Sequence, residues 1–144
     1  MKSVNYKLRE AYVTAFAGFA VNAITVPIYY LELPQGEEVD NYIILSEVGN
    51  SESGTMDRHG TDITMQLAVY TVQQYGNSGK FADEICNAIF QLIYPTPTSV
   101  LSFASDFQMV GMKLTRDSSE NLSTEGNDYF ANRLLTFEHK IFIK

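Results

Sequence analysis

Thr61-Asp62-Ile63-Thr64-Met65-Gln66-Leu67-Ala68-Val69-Tyr70-Thr71-Val72 is the stretch that decides the fold. Ile63, Met65, Leu67 and Val69 point one way along it and Asp62, Thr64 and Gln66 the other, the period-two pattern of a strand with one covered and one wet face. Upstream, the Ser- and Gly-rich segment Gly49 to Gly60 reads as a polar loop. Before it, Asn41 to Val48 reads as a strand that is apolar on both faces, with Tyr42, Ile44 and Val48 on one and Ile43 and Leu45 on the other, so a central position is expected. Pro34-Gln35-Gly36 turns the chain, and Pro27 confines the segment Ile24 to Leu33 to an edge strand or an extended entry segment.

The flanking segments change period. Leu8, Ala11, Tyr12, Ala15, Phe16 and Phe19 recur at helical spacing, which predicts a helix from near Ser3 or Asn5 to about Asn22. A second helix is expected after Tyr75-Gly76-Asn77, capped by Asn77 or Ser78. Phe81, Ile85, Ala88, Ile89 and Leu92 would be its buried stripe, Asp83, Glu84, Asn87 and Gln91 its wet side, and Pro95 and Pro97 its end. Gln108 to Arg116 alternates Val110, Met112 and Leu114 against Lys113 and Thr115, and Arg133 to Ile143 alternates Leu135, Phe137, Ile141 and Ile143 against Thr136, Glu138 and Lys140. Asp117 to Asp128 between them reads as a polar loop. The links between strands are short enough for antiparallel pairing. The expectation is an α+β fold, a mostly antiparallel sheet of four or five strands with two helices packed on one face, in a single domain spanning residues 1–144. The other face is left for solvent or a partner subunit. Val72 and Phe107 fall off the main stripes and suggest such a contact.

Composition narrows the function. A chain of 144 residues, 45% apolar, can build a core without disulfides or metal. Its 17 acids against 10 bases, with no basic excess beyond the first ten residues, disfavour tight nucleic-acid binding. The single cysteine, Cys86, excludes an internal disulfide. No run approaches the roughly 18 apolar residues of a membrane span, and Glu10, Thr14 and Asn22 interrupt what could pass for a signal peptide, so no leader is expected to be removed.

Chemistry-bearing residues are few. Asp57, His59 and Asp62 are close in sequence, yet strand alternation turns Asp62 away from the other two, so convergence on a metal is not expected. His139, between Phe137 and Ile141, reads as a hydrogen-bonded core or interface histidine, and Cys86, inside a helix, as a small buried hydrophobe rather than a nucleophile. Gly76-Asn77-Ser78-Gly79-Lys80 lacks the spacing and the following hydroxyl of a phosphate loop. No catalytic, cofactor-binding or metal site is expected. Charge is distributed more tellingly: Ala11 to Asp57 carries seven acids and no base, which accounts for the whole net charge of −7, and Asp117, Glu120, Glu125 and Asp128 form a second acid-only stretch.

The order of an N-terminal helix, Val26-Pro27-Ile28-Tyr29, Leu33-Pro34-Gln35-Gly36, the strand Asn41 to Glu47, the polar Gly49 to Gly60 segment, the Ile63 to Tyr70 strand, the Phe81 to Leu92 helix and a closing strand pair resembles the tail-completion, or tail-terminator, proteins that join tail to head in long-tailed bacteriophages. Asn41-Tyr42 stands where relatives commonly have Pro-Tyr. The resemblance implies a structural virion protein without catalysis, cofactor or metal, made in the host cytoplasm. Its subunits would close a homo-oligomeric ring, commonly a hexamer, at the neck or tail end, between neck or connector and tail-tube proteins, with genome DNA passing through without specific binding. An acidic lumen would lower friction on the duplex by repulsion within a Debye length of about 8 Å. Asp117, Glu120, Glu125 and Asp128 are the expected channel-facing acids, with Glu37, Glu38 and Asp40 second. Other expectations are a different neck ring, connector or stopper, or a small enzyme or ligand-binding domain using Asp57, His59, Tyr29, Tyr30 and Tyr42.

Overall fold

The structure, a computed structural model, describes residues 4–32, 34, 36, 40–54, 59–74, 80–102, 106–125 and 128–143, with backbone alone at 53, 73–74, 120–125 and 128–131. Its elements in chain order are α1 (Asn5–Ala15), β1 (Ala20–Val21), β2 (Ile24–Thr25), β3 (Ile28–Tyr30), β4 (Tyr42–Gly54), β5 (His59–Gln74), α2 (Lys80–Ile93), β6 (Phe107–Glu125) and β7 (Asp128–Ile143). Strands β3 to β7 form one sheet in the order β3-β4-β5-β7-β6, and β1 and β2 a separate hairpin. The α+β expectation holds, with both helices on one face. Leu8, Tyr12 and Phe16 from the α1 end and Ile85, Cys86, Ile89 and Ile93 from α2 share one core with Ile43, Leu45, Ile63, Met65, Leu67, Leu135, Phe137 and Ile141.

Strand β5 lies between β4 and β7 as its alternation requires: Ile63, Met65, Leu67 and Val69 are fully buried. Strand β4 is internal, as expected, but β3 runs parallel to it, so not every neighbouring pair is antiparallel. The link 31–41 is long enough to carry the chain back to the same end of the sheet, which a hairpin turn could not do. Pro27 sits at that edge, where a missing N–H costs no ladder bond and its carbonyl accepts from Ile43 N–H.

Most of both expected polar loops is strand, and their remaining residues, 55–58 and 126–127, lie outside the described residues. Gly49 to Gly54 continues β4 in register with Thr64 to His59, past a bulge that puts Val48 out at 59% exposure. Asp117 to Glu125 and Asp128 onward extend β6 and β7 into a hairpin that closes at Glu125 opposite Asp128. Polar side chains do not prevent a ladder from forming, because strand preference reflects packing on the two faces and main-chain pairing is indifferent to it.

Three boundaries move for local reasons. Helix α1 stops at Ala15, short of Asn22, and the chain turns through Gly18 at φ +69° into the β1–β2 hairpin. Asn22 and Ala23, at φ +52° and +67°, make its two-residue turn, the positive-φ pair that matches strand twist. On α2 the buried stripe takes in Ala82, Cys86 and Ile93, while Leu92 is 45% exposed, since packing selected the i+4 neighbour of Ile89 over the i+3 one. The proposed caps Asn77 and Ser78 lie outside the described residues. On β6 a register shift between Met109 and Gly111 exposes Val110 and buries Met109, Met112 and Phe107. Phe107 is therefore core rather than an interface residue.

Candidate functional site

Cross-strand register sorts the sheet into two faces. The helix-covered face includes Ile43, Val69 and Arg133. On the other, Tyr42 stands opposite Tyr70, and Tyr70 opposite Asn132. The next row is Ile44, Ala68, Leu134 and Ser118, with Tyr29 of β3 beside Ile44. Beyond it come Ser46, Gln66, Thr136 and Arg116, then Thr64, Glu138 and Lys113, and finally Asp62 and Lys140. None of these residues belongs to the core cluster beneath the helices.

The upper rows form an aromatic platform. The Tyr29 and Tyr42 rings meet edge-on at 6.5 Å, and Tyr42 and Tyr70 stack at 5.1 Å with 22° between their planes. Burial, reinforced by Tyr70, raises the Tyr42 phenol above its ordinary value, so it remains a neutral donor. Beside it, Asn132 is only 7% exposed, and its Oδ1 has no hydrogen-bond partner; neither has the buried Ser118 Oγ on the neighbouring row. Buried oxygens of this kind are satisfied in most folded chains. These polar residues escaped the sequence reading because Asn132 and Ser118 lay in or beside segments read as loop.

The residues singled out as chemical do not converge. His59 is an exposed side chain whose Nδ1 lies 3.7 Å from Glu52 Oε1, Asp62 falls on the opposite strand face as alternation requires, and Asp57 lies outside the described residues. Tyr29 and Tyr42 are on the open face. Tyr30 is on the other, its ring 4.4 Å from the Arg9 guanidinium. Two shallow grooves along α1, of about 190 and 270 Å³, include Tyr30 but not His59, Asp62, Tyr29 or Tyr42. Among the described residues no group of three His, Cys, Asp or Glu side chains is placed to hold a metal ion.

Cys86 is fully buried and burial pushes its thiol up to about 12, which keeps it protonated and unreactive. His139 is also fully buried. Its Nδ1 lies 2.9 Å from the Ile63 carbonyl, which can only accept, so Nδ1 carries the proton and Nε2 accepts from the Tyr12 hydroxyl at 2.6 Å. This histidine ties α1 to the sheet.

Of the four expected channel acids, Asp117 is engaged. Arg133 Nε and a terminal nitrogen donate to its two oxygens at 2.9 and 2.8 Å, and the other terminal nitrogen donates to Asp83 Oδ1 on α2 at 2.7 Å. The hydrogen bond to Asp117 raises the already high pKa of Arg133 further. The arrangement joins β6, β7 and α2, with the Arg133 side chain 19% exposed. Arg133→Ala is expected to lower stability by about 1 to 3 kcal/mol, between an exposed pair and a buried charged one; an unchanged urea midpoint would remove the bridge from the structural account. Glu120, Glu125 and Asp128 lie on the outer β6–β7 hairpin, but their side chains, like Glu37 and Glu38, lie outside the described residues. Asp40 is exposed.

No family model and no curated protein matches the sequence. In fold the chain is similar to one from the virion of a native gene transfer agent particle, over 97% of this chain and 92% of that one, with a TM-score of 0.60 and 20% identity. A second solved chain aligns over 94% of this chain and 92% of its own at 12% identity and a TM-score of 0.48, too low to bear on the argument.

Proposed function

We propose that this chain is a structural virion protein that closes a homo-oligomeric ring at the head–tail junction or tail end of a phage-like particle, joining tail to head around the DNA channel. The observation that carries the reading is the fold likeness, nearly end to end in both chains, to a component of a gene transfer agent virion. It agrees with the sequence resemblance to tail-completion proteins, which favours six subunits between neck or connector and tail-tube proteins. A connector or stopper ring is the second reading.

The open sheet face suits this role, since a ring subunit needs a large self-recognising surface and no catalytic cleft. Acids on the β6–β7 hairpin, Glu120, Glu125 and Asp128, are read as channel-facing, and Asp117, neutralised by Arg133, supplies little charge. DNA would then pass by repulsion, because phosphate affinity comes from neutralising bases.

Native mass measurement and images of assembled particles test the proposal. Expected are closed rings at the neck or tail end, with these acids nearer the axis than the lysines and arginines. A single copy per particle, or a bore lined by bases, would overturn the ring or the lumen assignment respectively.

A further inference from the structure

We infer that two copies of this chain pair about a two-fold axis, the Leu31–Glu32 corner of each entering the larger groove beside α1 of the other, with Glu32 on Arg9. The pairing is independent of the ring reading.

The corner is strained, and little within the chain offsets the strain. Glu32 N–H donates to the Tyr30 carbonyl at 2.9 Å across Leu31, whose φ is +70°. This is a γ-turn of the left-handed kind, rare and unfavourable for a residue with a bulky side chain. Leu31 is nonetheless 61% exposed, so core packing does not hold it there. A strained backbone that presents an apolar side chain to water points to a use for that side chain. Beside it Glu32 is exposed and makes no ion pair among the described residues.

The groove has the complementary character. It encloses about 270 Å³ and is lined by Tyr6, Arg9, Glu10, Val13, Thr14 and Tyr30, of which Tyr6 and Val13 are exposed apolar surface. The Arg9 guanidinium lies 5.6 Å from the centre of the Tyr6 ring and 4.4 Å from that of Tyr30, so two aromatic contacts orient it in advance of any partner. No carboxylate pairs with it among the described residues, Glu10 of the same groove included, whereas Arg133 holds two. A leucine followed by a carboxylate supplies what the groove is missing, an apolar side chain for its walls and an acceptor for its guanidinium.

The chain itself carries that pair of residues. Leu31 and Glu32 follow Tyr30, which lines the groove, so corner and groove are neighbours on one surface, yet Glu32 leaves the Arg9 of its own chain unpaired. Two complementary patches side by side are satisfied together by a two-fold axis, which sets each corner in the other copy's groove.

Sedimentation equilibrium of the full chain tests the inference. Expected is a reversible pair in wild type. Leu31→Gly should keep the fold, since glycine takes this φ without strain, and should weaken pairing by about tenfold or more. Arg9→Glu and Glu32→Arg should each weaken it similarly alone. An equal mixture of those two variants should pair again, because both contacts of a mixed pair then join opposite charges. Mixing cannot repair a contact internal to one chain. A wild-type chain that stays single, a Leu31→Gly chain that pairs as tightly as wild type, or a mixture that fails to pair although each variant keeps the wild-type circular dichroism spectrum would overturn the inference.

Discussion

Tyr12→Ala is expected to cost about 3 to 5 kcal/mol of folding stability, the range for removing a large buried aromatic side chain. Tyr12 is fully buried, stacks with Phe16 at 6.4 Å, meets the His139 ring edge-on at 5.4 Å, and donates its hydroxyl proton to His139 Nε2. Truncation opens a cavity between α1 and the sheet and leaves Nε2 buried without a donor. Tyr12→Phe separates the two effects. It keeps the ring and strands only the nitrogen, for an expected loss of about 1 to 3 kcal/mol. Urea unfolding of both variants checks the order; equal stability of wild type and Tyr12→Phe would show that the hydrogen bond contributes nothing net.

Acid should weaken the fold through His139. Burial lowers its pKa from 6.5 to about 4, against a smaller opposing pull from its bond to the Ile63 carbonyl. The groups around it are uncharged: Tyr12 from α1, Ile63 from β5 and Met112 across the ladder on β6. Between these two pKa values the unfolded chain binds a proton that the folded chain does not, so stability falls as the solution is acidified. The contribution is complete above pH 6.5, declines by roughly 1.4 kcal/mol per pH unit, and levels off below about pH 4, after a loss of about 3 kcal/mol. Protonation would also end Nε2's role as acceptor and loosen α1. Unfolding free energies between pH 7 and 4 test this. His139→Gln should be less stable at neutral pH and should lose this histidine's share of the pH slope; a slope identical to wild type would assign the acid response to other groups.

How much could be read along the chain depended on whether one face of an element was dry. Ile63 to Val69 declared a strand because every second residue had to be apolar, and Phe81 to Leu92 declared a helix for the same reason at another period. His139 was legible as a hydrogen-bonded core or interface histidine from its place in the row of Phe137 and Ile141, and its burial against α1 decided for the core. Segments with no dry face gave no such signal. Gly49 to Gly54 and Asp117 to Glu125 looked like loops since their side chains are polar, yet their main chains pair with neighbouring strands.

The amino-acid sequence by itself determined the α+β class, the two helices, the one-sided core and the net charge of −7, because these follow from periodicity and composition. Only the tertiary structure decided the β3-β4-β5-β7-β6 order, the parallel β3–β4 pair and the bulges that expose Val48 and Val110. It also brought Tyr29, Tyr42, Tyr70, Asn132 and Ser118 onto one face and locked Asp117 to Arg133. The physical reason is common to all of these: strand order and register arise from main-chain pairing between segments far apart in the chain, and a one-residue shift reverses which face a side chain occupies.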